Sequence, residues 1–283
     1  MQPSKITYAN SQYPDALREI AAAPKQLYVL GDLKAGPLVA VVGSRRPTDY
    51  GKQVTHQLAT DLARAGVGIV SGLALGIDTI AHQAAVEAGG YTIAVQGNGL
   101  DKVYPHSNRG LGIKILESGG AIISEYDPGM PALKQNFPAR NRIISGLSLA
   151  VIVTEADASS GSLITANFAV QQNRQVLAVP GNITSQRSAG PNNLLKLGAI
   201  PVTSASDVLA ALDLESRALK ARPAIAQSAE EAKLLELMDT GTTQSQQLIE
   251  GADMTASQFA YVISLMEITG KVRNLGAGIW VRR

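Results

Sequence analysis

Residues 38–45 read LVAVVGSR: five consecutive apolar residues, three of them valine, that run into Gly43-Ser44-Arg45. A run this short and this apolar suits a strand buried on both faces, and the glycine marks a tight turn at its end. Beyond Pro47, residues Val54, Leu58, Leu62 and Ala65 recur at near-helical spacing, so the segment is strand, glycine turn, helix. The same unit repeats outward along the chain. VGIVSG (67–72) precedes a helix through Ile80 and Ala84, YTIAVQG (91–97) precedes a segment around Leu111 to Leu116, and AIIS stands at 121–124. SLAVIVTEA (148–156) and RQVLAVPG (174–181) follow, with a helical stretch from Ser162 to Gln172 between them. Apolar strands alternating with helices specify a mainly parallel sheet covered on both faces. Right-handed crossovers then make it a doubly wound, Rossmann-like α/β domain.

On this reading the α/β domain occupies residues 37–212 and residues 1–36 form a lead-in packed on it. Residues 213–228, DLESRALKARPAIAQS, have a linker's mixture of charge, alanine and one proline. A second unit follows from 229 to 283. Leu234, Leu235 and Met238 mark one helix, Gln247 to Ile249 a second, and Phe259, Ile263 and Met266 a third, N-capped by Thr255. KVRNLGAGIWVRR then folds as a two-stranded ribbon around Gly276-Ala277-Gly278. Three short helices closed by a hairpin predict a small C-terminal winged-helix domain.

The composition fits such a pair of units: 45% of the 283 residues are apolar and 17% charged, enough for one large core and a smaller one. The absence of cysteine excludes disulfide scaffolds, thiol catalysis and cysteine zinc sites, and three histidines leave little for a metal. No metal and no cofactor are expected. The polar start without an apolar h-region, and the lack of a long uninterrupted apolar run, predict a cytoplasmic protein with no membrane contact. Twenty-five Lys and Arg against 23 Asp and Glu give a net charge of only +2, so the placement of charge must carry the functional reading.

Five strands end in glycine or serine: at Gly43-Ser44-Arg45, Ser71-Gly72, Gly97-Asn98-Gly99, Ser159-Ser160-Gly161-Ser162 and Pro180-Gly181. In a parallel sheet these turns share the carboxyl edge, where backbone N–H groups and helix N-termini bind anions. One such turn is merely a tight connection, whereas five with an arginine on the first point to a phosphate-bearing ligand. Between Asp127 and Asp207 the only acids are Glu155 and Asp157, against Lys134, Arg140, Arg142, Arg174, Arg187 and Lys196. Within that stretch Lys134-Gln135-Asn136-Phe137-Pro138-Ala139-Arg140-Asn141-Arg142 interleaves cations and amides with a phenylalanine. This suits a groove that tracks a nucleic-acid backbone and offers a ring to an unpaired base. The competing reading packs Phe137 inward and leaves the arginines as a solvated face.

Catalytic constellations are poorer. Asp78 and His82 stand at helical i, i+4 spacing and could orient a base, but no nucleophile has an evident partner, and a histidine bracing the helix is the stronger reading. Glu155 beside the Ser160-Gly161-Ser162 turn is either a general base or ribose ligand, or a cap on the helix that follows. GxxxxGK[ST] is absent, as is GxGxxG followed by an acid on the next strand, so ATPase and dehydrogenase chemistry lose support and no catalytic residue is assigned.

VAVVGSRRPTDYG, IVSGLALGIDTIAH, TIAVQGNGLDKVYP, ISEYDPGMP, NFPARNRIISGLS, SGSLITA and AVPG resemble, in order and spacing, the DprA (Smf) family of bacterial DNA-processing proteins. The resemblance runs from near Tyr13 through Val208, and the C-terminal unit is similar to the winged helix that many members carry. It implies a non-enzymatic mediator that binds and protects single-stranded DNA, forms a homodimer and helps load RecA during natural transformation. The family's DNA-contacting arginine falls on Arg45, and its basic and aromatic segment on Lys134, Phe137, Arg140 and Arg142. Backbone groups around Gly43, Ser44, Ser160 and Gly161 would contact phosphate. Gln96 and Asn98 depart from the family's usual turn, and many members begin with a helical domain, whereas this sequence starts almost at the α/β lead-in. The alternative is a nucleotide-binding or nucleotide-processing protein of the lysine-decarboxylase-like Rossmann group. Those enzymes carry a glutamate in PGGxGTxxE, where this chain has SSGSLITANF with no acid. A duplex-reading winged helix is disfavoured as well, because residues 256–269 contain neither Lys nor Arg.

Overall fold

A nine-stranded sheet organises the larger part of the chain in a computed structural model, which describes residues 2–214, 228–268, 271–276 and 278–282. Its strands are β1 (Ser4–Thr7), β2 (Gln26–Gly31), β3 (Leu38–Val42), β4 (Gly68–Ser71), β5 (Thr92–Val95), β6 (Ala121–Ser124), β7 (Ala150–Val153), β8 (Gln175–Ala178) and β9 (Ile200–Pro201). The spatial order is β1-β2-β6-β5-β4-β3-β7-β8-β9, parallel from β6 through β9. LVAVV is thus the pivot: from β3 the chain steps through β4, β5 and β6 on one side and returns to place β7, β8 and β9 on the other. All five of its residues are buried, as strands covered on both faces must be. The crevice between the carboxyl ends of β3 and β7 is the switch point at which open α/β sheets bind ligands.

The helices are α1 (Asp15–Arg18), α2 (Asp49–Arg64), α3 (Ile77–Glu87), α4 (Arg109–Glu117), α5 (Asn136–Leu147), α6 (Ser162–Gln171), α7 (Ala189–Lys196) and α8 (Ala205–Ala211). On α2 the buried residues Gly51, Thr55, Leu58, Ala59, Leu62 and Ala63 form one stripe against the sheet, where they pack with Val39, Val41, Ile69 and Ile152. On α5 the stripe is Asn136, Arg140, Ile143, Ile144 and Leu147. Asn136 and Arg140 open an otherwise apolar face.

Residues 2–36 are more than a lead-in. QLYVLG pairs antiparallel with β6, with Tyr28 opposite Ser124, and β1 pairs antiparallel with β2, so the segment extends the same sheet by two strands. Its apolar residues close the β6 edge that would otherwise lie open. Leu17 and Ile20 share a cluster with Ile143, Ile144 and Leu147 of α5, and the buried Tyr13 hydroxyl donates to the Pro24 carbonyl at 2.7 Å.

The chain divides into two compact units, Met1–Ala221 and Arg222–Arg283; most of the linker expected at 213–228, namely 215–227, lies outside the described residues. The second unit holds α9 (Ala229–Asp239), α10 (Ser245–Ala252), α11 (Ala256–Ile268), β10 (Val272–Gly276) and β11 (Ile279–Arg282). Leu234, Leu235, Met238, Leu248, Phe259, Ile263, Met266 and Trp280 form its core. Ser228 caps α9 by accepting from Glu231 N, and Thr255 and Gln258 exchange hydrogen bonds at the start of α11 as a reciprocal cap. Three helices and an antiparallel ribbon reproduce the expected winged-helix pattern; Ala277, expected in the turn of the ribbon, lies outside the described residues. No helix among the described residues is long and apolar enough to cross a membrane.

Because Leu17 is fully buried in the cluster that joins the N-terminal segment to α5, Leu17→Ala should lower the unfolding free energy by about 2–5 kcal/mol. Denaturant titration measures it, and a loss within error would place the N-terminal segment outside the cooperative unit.

Candidate nucleic-acid interface

The turn that follows β3 is held at both ends by one residue of β7's carboxyl end. The Ser44 N–H donates to the Glu155 carbonyl at 2.6 Å, while the Glu155 carboxylate accepts from the Thr48 N–H at 2.8 Å and from the Thr48 hydroxyl at 2.5 Å. Thr48 is in turn the N-cap of α2 and accepts from Gly51 N. Glu155 is buried, so its role is a cap, but on α2 across the switch point rather than on the helix that follows it. Between the two anchors Arg45 and Arg46 stand exposed. Ile77 N donates to the Ser44 carbonyl at 3.1 Å, so the first turn of α3 supports Arg45 from below. Gly76, at φ +82°, makes this approach possible, since a Cβ there would fall 2.7 Å from the Arg45 carbonyl carbon.

These contacts revise the expected phosphate donors. The Ser44 N–H and the Ser160 N–H, the latter donating to the Asp157 carbonyl, are both engaged inside the protein. Gly161 is exposed at the N-terminus of α6, with its carbonyl accepting from Asn141 of α5. Gly43 packs against the Glu155 carbonyl and Ile77, leaving no approach to its Cα from that side.

At the next strand inward, the peptide of Gly72 is bracketed by a buried acid and a buried base. Asp78 Oδ2 accepts from Gly72 N at 3.0 Å and Ala74 N at 3.4 Å; the Arg140 guanidinium donates to the Gly72 carbonyl at 2.9 Å and also to the Val95 carbonyl. Arg140 is therefore corrected from a DNA contact to an internal brace, because its side chain lies under the β4 and β5 turns. Burial lowers its pKa to about 10, against the pull of Asp78, so it stays charged at neutral pH. Burial also pushes the Asp78 carboxyl up, opposed mainly by Arg140. His82 does not serve Asp78: its Nδ1 is 2.7 Å from the Thr92 hydroxyl, which donates to the Ile69 carbonyl.

Phe137, at the start of α5, is half-buried, with its ring against the Gly97 backbone: a Cβ on Gly97 would sit 3.1 Å from Phe137 Cδ1. Asn136 Nδ2 donates to the Gly97 carbonyl at 3.0 Å and fixes the helix start on that turn. The other neighbour is Tyr104, from the loop after β5, with ring centroids 5.4 Å apart and planes inclined by 35°. Phe137 thus satisfies part of each competing reading, since it is packed on one side and open on the other. Tyr104 was not singled out by the sequence reading; its place in QGNGLDKVYP was the available signal.

The positive stretch is mostly consumed internally. Arg142 forms a two-pronged pair with Glu125 at 2.6 and 2.9 Å, Arg174 reaches Glu19 at 3.1 Å, and Arg187 meets Asp157 at 2.8 Å. Arg142, expected among the DNA-binding residues, is thus paired with an acid of the protein itself. Of the expected set, Arg45 and Lys134 are exposed cations without an ion pair among the described residues; Arg46 and Lys102 join them on carboxyl-edge loops. With neighbouring strands about 4.8 Å apart, the β3 turn and the β5 turn on which Phe137 rests are separated by roughly 10 Å. Charge and ring therefore share one edge.

A family model described as DNA recombination-mediator protein A matches residues 4–213. The chain belongs to this family. It is the family, DprA or Smf, to which the motifs pointed. Protein Smf of Escherichia coli K12 is 47% identical over 199 residues, covering 70% of this chain and 53% of that protein. The structure of DNA processing protein A from Streptococcus pneumoniae superposes with a TM-score of 0.71 at 45% identity, covering 74% of each chain. That of DNA processing protein A from Helicobacter pylori, described for its single-stranded DNA binding mode, gives a TM-score of 0.66 at 36% identity over 75% of this chain and 98% of that one. The match spans about half the length of Smf from E. coli and from Synechocystis.

The buried network beneath the turns has a pH signature. Burial, reinforced by Arg140, lowers the His82 pKa to about 3, so the folded chain refuses a proton that the unfolded chain takes up below about 6.5. His82 therefore costs stability as pH falls from about 6.5 towards 3, at up to about 1.4 kcal/mol per unit. Unfolding titrations at pH 7 and pH 5 should show this loss in the parent chain and a smaller one in His82→Gln.

Proposed function

We propose that the chain is a recombination mediator that binds single-stranded DNA along the carboxyl edge of its sheet, with little sequence preference and no chemistry of its own. One observation carries the reading: the exposed, clamped Arg45 and the half-open Phe137 lie along one edge, with Lys134 one turn ahead of Phe137. Cations along a groove combined with aromatic surface are what a flexible strand with unstacked bases requires. Gly161 adds a backbone contact at the α6 N-terminus. The single-stranded DNA binding mode described for the H. pylori relative supports the same assignment.

The nucleotide-enzyme alternative is disfavoured at the switch point. There a cavity of about 360 Å³ is lined by Thr48, Tyr50, Glu155, Gly181, Asn182, Ser185 and Ser188, and the N-terminus of α2 that would hold a phosphate is already occupied by the Glu155 carboxylate.

Loading RecA on a covered strand benefits from two linked grips, because the second binds at high effective concentration. The same reading therefore includes a homodimer and a RecA partner, and places the protein in the cytoplasm. Leu197, 84% exposed at the end of α7, offers an apolar side chain for self-association.

Fluorescence anisotropy against labelled single strands and duplexes should show tighter single-strand binding, and equal or tighter duplex affinity would overturn the reading. In a salt titration Arg45→Ala should reduce the slope of log affinity against log salt by about 0.7, the share of one single-strand phosphate. In light scattering at micromolar concentration the parent chain should give a dimer mass and Leu197→Asp a monomer mass.

A further inference from the structure

Gln96 and Asn98, in the turn after β5, have a common task in the structure. Both are buried. Gln96 Oε1 accepts from the Tyr104 N–H at 2.9 Å, and Asn98 Nδ2 donates to the carbonyls of Gly99, at 2.8 Å, and Lys102, at 2.7 Å. The Asn98 carbonyl accepts from the Ser124 hydroxyl, and Gly99 N donates to the Met130 carbonyl, so the loop is also tied to its neighbours. Gln96 Oε1 and Asn98 Nδ2 direct their hydrogen bonds to the backbone of one loop, while Gln96 Nε2 and Asn98 Oδ1 are buried with no partner among the described residues. The loop ends by presenting Tyr104.

Tyr104 is 46% exposed, and its hydroxyl makes no hydrogen bond among the described residues. Its ring is backed by Phe137, whose own ring is backed by Gly97. At 5.4 Å the two centroids leave less than the roughly 7 Å that two stacking distances of about 3.4 Å would need, so no base fits between them. A base can stack only on an outer face, and Tyr104 is the more open of the two rings. Lys102 stands exposed on the same loop, two residues away.

We propose that Tyr104 is a base-stacking residue of the DNA-binding edge, braced from behind by Phe137 and from below by Gln96 and Asn98. This rests on the single-stranded DNA reading and extends the contact surface from the α5 start onto the loop after β5. Phe137 then acts in part as the positioning residue for Tyr104.

The test compares, by fluorescence anisotropy with the full chain, a short oligothymidylate and an abasic strand of equal length that carries the same phosphates. The parent chain should prefer the oligothymidylate. Tyr104→Ala should remove most of that preference, a loss of roughly tenfold or more on the base-bearing strand, with the salt slope kept, and Tyr104→Phe should restore it. Should Tyr104→Ala melt early, Tyr104→Leu, which keeps apolar bulk against Phe137, gives the same readout. Undiminished preference, or equal weakening on both strands, overturns the stacking role while leaving the DNA reading intact. A parent chain that binds neither strand, or binds duplex more tightly, overturns both.

Discussion

The Glu155 carboxylate, buried with the Thr48 N–H and hydroxyl as its hydrogen-bond donors, is the constraint on which the edge depends. A carboxylate withdrawn from water without a cation beside it is tolerable only where oriented donors and a helix N-terminus face it, and Thr48 at the start of α2 provides both. Because the backbone carbonyl of the same residue holds Ser44, the span from 44 to 48 cannot move without breaking contacts at its two ends. Arg45 is thereby displayed by β7 as much as by β3, the strand it follows. The parallel pairing of β3 with β7 brings together two residues more than a hundred positions apart.

A second buried group works one strand over. Arg140 and Asp78 both hold Gly72, the base on its carbonyl and the acid on its N–H. Burial lowers the Arg140 pKa to about 10, so the guanidinium stays charged at neutral pH, with the Asp78 carboxyl as its Coulombic partner. Arg45 lies near enough for its own charge to oppose that of Arg140.

Most of the sheet was legible because its central strands are short apolar runs with glycine at their ends, which little else in a globular chain resembles. β1 and β2 escaped because antiparallel edge strands pair with what is already built, and nothing in QLYVLG itself says that β6 will have a free side. The inward path of Arg140 could have been read, since it lies three and four residues before Ile143 and Ile144 on the apolar stripe of α5. The pairing of Arg142, Arg174 and Arg187 could not: their partners lie 17, 155 and 30 residues away, and a charge count, even where it includes Asp157, does not say which charges meet. The residues around Glu155 leave a cap on the following helix and a chemical role open, whereas the structure puts its carboxylate on α2, a target set by the crossing of the chain at the switch point. Tyr104 had a local clue in QGNGLDKVYP, but not its pairing, because the partner ring Phe137 arrives from α5.

The ties of the edge also settle its mechanics. α5 has Asn136 and Phe137 of its first turn on the Gly97 turn after β5 and Arg140, one turn on, under the Gly72 turn after β4, while its far end is wedged against the N-terminal segment. A strand pulled along the edge therefore loads a rod pinned at three places to a stiff plate, instead of a flexible arm that could swing with it. On the proposed reading, tension on a bound strand would be shared by the sheet as a whole through these ties.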